Sequence, residues 1–387
     1  MTDIAAAVEI LRDLVAFPTV STDSNLAMVS ALAERLEFIG ARAEVFLDGS
    51  GTKGNLFATL GPQDVDGGIV LSGHCDVVPV EGQPWTTDPF ELSERNDRLY
   101  GRGTCDMKGF IAAAVAMAPV LAERVRDRPL HFAFTYDEEV GCFGARALIE
   151  ALEMRELRPG VAIIGEPTQM RVIEGHKGCY EYTTRFVGLE GHGSLPDRGI
   201  NAVEYAVRYV ARLLELKEEL KTRAPATSRF DPPWTTINTG ALHGGLAHNV
   251  IAGRARIDWE MRPVQRPDAD FVKAALRDYV EHCLLPEMQA VHPLAEISTE
   301  TVGEVDGLEP VTENEAREIV FALTGQTEAE LVGFGTEAGL FQGHGISTVV
   351  CGPGSIEQAH KADEFLELDQ LAQCLDMLDR LGARLGQ

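Results

Sequence analysis

The chain has 387 residues, 45% of them hydrophobic, which suits a globular protein of two domains rather than a single core or a disordered polymer. With 34 basic against 60 acidic residues its net charge is -26, a balance that opposes binding to nucleic acid or to an anionic membrane. No apolar run is long enough to span a bilayer, the N-terminus does not read as a signal peptide, and seven scattered cysteines form no CxxC pair, so a reducing, cytoplasmic location is expected.

From residue 4 to about 40 the apolar residues recur at helical spacing, interrupted at Phe17-Pro18-Thr19 and stopped by Gly40, which predicts two amphipathic helices. Residues 55–60, 68–72 and 130–135 are predicted strands, with helices over 107–124 and 144–153 among them, and 161–165 is a further buried strand. This alternation implies an α/β domain with a central mixed sheet flanked by helices. Beyond Cys179 the pattern changes. Strands over 179–187, 235–240, 253–261 and 295–302, with helices over 201–221 and 268–285, follow a β-α-β-β-α-β order. That order predicts an inserted ferredoxin-like α+β domain with one sheet face covered by two helices. A helix over 313–323, the glycine-rich 333–339 and a strand over 347–351 resume the α/β pattern. The expected division is a catalytic domain over 1–178 and 306–387, split by the insertion over 179–305.

Residues able to do chemistry gather where these strands end. His74 and Asp76 follow the apolar run 69–72, two residues apart and therefore on one side of an extended chain, with Cys75 on the other. A histidine oriented by a carboxylate is a metal-ligand arrangement, and also an ordinary hydrogen-bonded pair. Asp106 sits in a glycine-rich loop that opens a helix, where it is suited either to bridging two cations or to capping the helix. Asp137, Glu138 and Glu139 are adjacent acids after a strand and repel one another unless a cation neutralises them; a solvated acidic turn is the alternative. Glu166 ends the strand 161–165, at the carboxyl edge where open α/β sheets bind ligands. His360 lies beyond a glycine-rich turn after the strand 347–351, as a ligand or a surface histidine. Two histidines and three carboxylates can give each of two metals three protein ligands if one carboxylate bridges.

Taken together, these segments resemble the dinuclear zinc amidohydrolases, the family of acetylornithine deacetylase, succinyl-diaminopimelate desuccinylase, aminoacylase and glutamate carboxypeptidase. The resemblance spans the whole chain. It implies two zinc ions, with cobalt able to substitute: one on His74, Asp106 and Glu166, the other on Asp106, Glu139 and His360. It also implies that Asp76 orients His74, that Glu138 is the general base, and that a cis peptide follows Asp106. The inserted domain would be a lid and the interface of a homodimer, supplying His192 to the oxyanion, with Asn249 and Arg262 holding substrate. Gly193 departs from the family pattern by standing between His192 and Ser194. The stretches 334–341 and 352–361 look most like the acetylornithine deacetylase branch, which implies hydrolysis of N-acetyl-L-ornithine to L-ornithine and acetate. Arg262, assisted by Lys177 or Thr336, would engage the substrate carboxylate, and Glu337 the ammonium; a salt bridge within the inserted domain is the other reading of Arg262. Rival functions are deacylation of another N-acyl amino acid, with a succinyl, formyl or other acyl group, and a metal-binding scaffold without activity. A cysteine hydrolase using Cys75 or Cys105 is disfavoured, since in an extended chain His74 points away from Cys75.

Overall fold

Short apolar runs rich in Val, Ile, Leu and Phe, bounded by glycine or acids, form the middle of an eight-stranded sheet. The computed structural model describes residues 4–386 and divides into two compact units. The first comprises the chain up to Gly175, Pro310–Leu331 and the chain from Thr336 onward; the second comprises His176–Glu309 and Val332–Gly335.

In the first unit the strands lie in the order Arg42–Leu47, Gly54–Leu60, Leu130–Thr135, Ile69–His74, Val161–Pro167, Ser347–Gly352, Ile173–His176, Glu330–Val332. Leu130–Thr135, Ile69–His74, Val161–Pro167 and Ser347–Gly352 run parallel, and antiparallel partners flank them, so the sheet is mixed. These four strands are buried along nearly their whole length, as their continuous hydrophobic character requires of a sheet covered on both faces. Being parallel, they all end at one edge.

The helix Lys108–Arg124 is apolar almost all round and is buried between this sheet and the helices Ile4–Val15 and Leu368–Leu385. Each of its fully buried large side chains, such as Phe110, Ile111 and Leu121, contributes about 1.5–3 kcal/mol by leaving water. Gly165 makes this contact possible: a Cβ there would lie 1.9 Å from Cγ of Phe110. Only a bare backbone lets that ring rest on the strand that carries Glu166.

The second unit has a four-stranded antiparallel sheet in the order Thr236–Gly244, Arg254–Arg262, Cys179–Val187, Glu296–Val305. Tyr180, Tyr182, Phe186, Ile257, Trp259 and Met261 point to one face, where the helices Ala202–Thr222 and Arg266–Tyr279 pack on them. In sequence order the strands are therefore arranged 4-1-3-2, the ferredoxin-like topology.

Several elements depart from the sequence expectation, among them the short strands Ile173–His176 and Glu330–Val332, which the sequence reading did not include. The helix expected over 268–285 runs as Arg266–Tyr279, a wide π turn Val280–Leu284, and Leu285–Val291. Pro286 lacks the N–H that would continue the α ladder, and the chain re-registers just before it. The edge strand Arg42–Leu47 is half exposed, with no strong apolar alternation to announce it. The helix Leu368–Leu385 also lies outside the predicted elements, although Leu371, Leu375, Leu378, Leu381 and Leu385 recur at helical spacing and are buried. Among the described residues no helix is long and apolar enough to cross a membrane.

Candidate metal centre

His74 is the last residue of its strand, its backbone paired with Thr135 of the neighbouring strand. Its Nδ1 lies 2.8 Å from the carbonyl oxygen of Asp76, an atom that can only accept. Nδ1 therefore carries the proton, and the Nε2 lone pair is left for a cation. That Nε2 is 3.0 Å from Oδ1 of Asp106 and 3.7 Å from Oε1 of Glu166. The Asp76 carboxylate is farther from the ring, its Oδ1 3.6 Å from Nδ1, and has other work. It accepts the Ser21 hydroxyl at 2.7 Å and the backbone N–H groups of Glu138 at 3.0 Å and Glu139 at 3.3 Å. Asp76 thus ties the end of one parallel strand to the acidic turn after the next.

Asp106 occupies the middle of the cluster. Its Oδ1 faces His74, while its Oδ2 is 3.4 Å from Nε2 of His360, which also lies 3.0 Å from Oε2 of Glu139. One carboxylate thus presents one oxygen to each histidine, the disposition of a ligand shared by two cations. The peptide bond from Asp106 to Met107 is cis, as the family resemblance implies. His74, Glu138 and Glu166 offer ligand atoms all within 4.8 Å of one another, as do His74, Asp106 and Glu139.

The charge of the site fits cations. Burial, reinforced by Glu139, Asp106 and Asp76, holds the Glu138 carboxyl well above its ordinary range. Glu166 is raised well above it too, by burial and by Asp106, and Glu139 by the same two causes. Hydrogen bonds to Asp106 and Glu139 carry His360 up to about 10. Burial opposes a charge on His74, but Glu166, Asp106 and Asp76 carry it well above its usual value. These acids can all be ionised together only beside positive charge, which two divalent ions would supply while returning the imidazoles to their neutral, ligating form.

The remaining predicted residues fall into separate groups. In the second unit, the short strand Gly191–His192 pairs with Val250–Ile251, so His192 and Asn249 are close, both exposed. The Ser194 backbone N–H reaches Nδ1 of His192 at 3.2 Å, and its hydroxyl lies 2.7 Å from the same atom. A backbone N–H can only donate, so Nδ1 is the acceptor and Nε2 bears the proton of the neutral ring. A Cβ on Gly193 would lie 3.0 Å from the backbone of Asn249, so glycine there lets the two segments approach this closely. Arg262 makes the salt bridge that was its alternative reading, with Nε and Nη2 at 3.0 and 2.8 Å from Oε2 of Glu260. Lys177 donates to the carbonyls of Pro232 at 2.7 Å and Trp234 at 3.1 Å. Thr336, in the first unit, is fully buried, its hydroxyl accepting the N–H of Ala338.

Glu337 requires correction. It was expected to meet a substrate ammonium, but it is wholly buried and accepts the hydroxyls of Ser72 and Thr135, two residues of the central strands. Its carboxylate belongs to the interior because it starts a short helix packed against the sheet. Sequence reading also missed Glu364 and Arg102, a buried ion pair beside Asp106. The only signal was the acid itself, close after His360.

Residues 70–384 match the family model described as peptidase family M20/M25/M40. Among curated proteins, the chain is 36% identical over 382 residues to an acetylornithine deacetylase of Photorhabdus laumondii, covering 97% of this chain and 96% of that one. It is 34% identical over 389 residues to an acetylornithine deacetylase of Pasteurella multocida, covering 98% of both. Among solved structures it resembles an M20 family metallo-carboxypeptidase of Sulfolobus solfataricus, with a TM-score of 0.74, 17% identity and coverage of 98% of this chain and 99% of that one. A Bacillus subtilis protein described as a dinuclear metal-binding peptidase of the M20 family gives a TM-score of 0.64 at 17% identity, covering 98% of each.

Proposed function

The chain belongs to peptidase family M20/M25/M40, a hydrolase family of linear amides, and on that premise we propose that it converts N-acetyl-L-ornithine and water to L-ornithine and acetate in the cytoplasm. The observation that carries a two-metal reading is Asp106, with Oδ1 3.0 Å from one histidine and Oδ2 3.4 Å from the other. His74, Asp106 and Glu166 would hold one ion and Asp106, Glu139 and His360 the other, zinc first, with cobalt able to replace it. Bound there, the ions supply Lewis-acid activation of water and of the acyl carbonyl.

The chain's own residues do the rest. Glu138 takes the proton from the attacking water and delivers it to the departing amine, a shuttle that suits a carboxyl whose proton affinity is raised by burial. Asp76 holds the Glu138 backbone and, through its carbonyl, the His74 ring. His192, with its proton on Nε2, is the donor for the developing oxyanion. Arg262 exchanges Glu260 for the substrate carboxylate, Asn249 contacts the substrate beside His192, and Lys177 and Thr336 assist from positions anchored to backbone. A covalent acyl-enzyme is not needed. We further propose that the second unit acts as a lid and the homodimer interface, its edge strands Thr236–Gly244 and Glu296–Val305 each leaving one side free to pair.

The test is release of acetate from N-acetyl-L-ornithine by metal-stripped protein reloaded with zinc or cobalt, beside N-acetylmethionine, N-succinyl-diaminopimelate and N-formyl-ornithine. Metal-dependent preference for acetylornithine supports the reading. Preference for another substrate replaces the specificity and keeps the chemistry, and inactivity on all four with two ions bound refutes the substrate class. Glu138→Ala should lower turnover by about 10²–10⁴-fold with both ions still bound; an active variant removes Glu138 from its role.

A further inference from the structure

His360 is unlike the other candidate ligands, because its side chain is 55% exposed and its backbone has a positive φ of 62°. It lies outside the sheet ladders. Its carbonyl oxygen accepts a hydrogen bond from Nε2 of Gln83, 3.0 Å long, and its loop is tied further along by the Thr86 N–H and hydroxyl, each 2.9 Å from Oδ1 of Asp363. The Gln83 side-chain oxygen in turn accepts Nη2 of Arg102 at 2.6 Å and the Trp85 indole N–H at 3.1 Å. Nη1 of Arg102 reaches the Lys361 carbonyl at 3.3 Å and Oε2 of Glu364 at 2.7 Å.

Glu364 completes the chain of contacts on the side of the bridging acid. Its Oε2 also accepts the N–H of Gly103 at 3.0 Å, and its Oε1 accepts those of Cys105 at 2.8 Å and Asp106 at 3.0 Å. The Arg102 and Glu364 side chains are 1% and 0% exposed, so this is a dry ion pair with the loop before Asp106 wrapped round its carboxylate; both terminal nitrogens of Arg102 are engaged, while its buried Nε has no hydrogen-bond partner among the described residues. His74 and Glu166 have no such need, since both stand on strands of the sheet.

We propose that Gln83, Arg102 and Glu364 are positioning residues that set the affinity of the cation held by Asp106, Glu139 and His360, with a smaller effect on the one held by His74, Asp106 and Glu166. The proposal rests on the ligand assignment above. Its physical content is that one buried pair sets the distance between the Asp106 loop and the His360 loop, and that distance decides whether a single ion satisfies both. Residues that orient metal ligands in this way alter affinity by roughly 10–100-fold when removed.

The experiment is calorimetric titration of the chelator-stripped full chain with Zn²⁺, with bound zinc counted by elemental analysis, for the wild type, Gln83→Ala, Glu364→Gln and His360→Ala. The expected result is two ions for the wild type and one for His360→Ala. In Gln83→Ala, which frees the His360 carbonyl, the first affinity stays unchanged and the second falls by roughly 10–100-fold; in Glu364→Gln, which also loosens the Asp106 N–H, the second falls by more than the first. Glu364→Gln leaves Arg102 buried without a counter-charge; should it not fold, Gln83→Ala, a partly exposed position, decides alone. An unchanged second affinity in Gln83→Ala, while His360→Ala loses one ion, overturns the proposal and spares the ligand assignment. An equal fall of both affinities in Gln83→Ala, together with the melting temperature of the metal-free protein, overturns it in favour of a general role in folding. Two ions retained by His360→Ala would refute the ligand assignment, and the proposal with it.

Discussion

Asp76→Asn separates the charge of that carboxylate from its shape. Burial works against ionisation of Asp76, yet His74, Ser21 and the Glu138 N–H hold its proton affinity below the ordinary carboxylate value, so the fold contains the anion. An asparagine can keep its oxygen at the Oδ1 position, where the Glu138 N–H donates, and put its amide at Oδ2. There the Ser21 hydroxyl can turn to accept, but the Glu139 N–H, now 3.3 Å from an acceptor, would face a second donor. Hydrogen bonds to charged groups contribute about 1.5–3 kcal/mol, and a long one lies at the lower end, so the substitution should cost about 1.5 kcal/mol of stability. Loss of the charge beside His74 should weaken zinc by roughly 10–100-fold. Asp76→Ala strands all three donors at about 1–3 kcal/mol each, a total of about 3–9 kcal/mol that rivals the stability of a whole domain. The assay is urea unfolding of the metal-free proteins and zinc titration of those that fold. If the two variants are equally stable, or Asp76→Asn binds zinc like the wild type, Asp76 does not join the strand end to the acidic turn.

Other regions give independent tests. His131 is buried, stacked on Phe57 and hydrogen-bonded to Thr59, and burial pushes it down to about 4 from an ordinary 6.5. As pH falls below 6.5 the unfolded chain takes up a proton that the folded chain refuses, so stability present at pH 7 drops by about 2 kcal/mol at pH 5. His131→Asn, which keeps a partner for Thr59, should flatten the pH dependence of the unfolding midpoint by that amount, and an identical slope would contradict it. Gly165→Ala places a methyl 1.9 Å from the Phe110 ring and should cost about 1–3 kcal/mol or more, with weaker zinc binding through Glu166. Adding Phe110→Ala should recover part of that loss in a thermal melt, because the clash partner is gone. Arg262→Lys removes a planar fork from a carboxylate site, so KM for the acyl amino acid should rise by about 10–100-fold with little change in kcat. An unchanged KM would leave Arg262 as a partner of Glu260 alone.

The sequence by itself determined the placement of most of the candidate metal ligands. The apolar runs ending at His74, at Asp137-Glu138-Glu139 and at Glu166 are strands because they are short, β-branched or aromatic, and bounded by turn residues. Once parallel, such strands deliver whatever follows them to one edge, so the gathering of His74, Glu138, Glu139 and Glu166 was legible from local pattern, whereas Asp106 and His360, which lie in loops, were joined to them by the family resemblance. The alternation in 179–187 and 254–262 likewise determined which face of the second sheet the helices cover. Only the tertiary structure decided which oxygen of Asp106 faces which histidine, that Glu337 lies inside the sheet layer, and that Arg262 and Lys177 already have partners. Those outcomes depend on contacts between distant residues: Glu364 meets the Asp106 N–H across 258 positions, and Glu337 meets Ser72 across 265. An isolated acid in a sequence has the same composition whether it ligates, anchors a loop or is buried. Its role is set by the donors that folding brings within 3 Å, and those are properties of the packed chain, not of any local window.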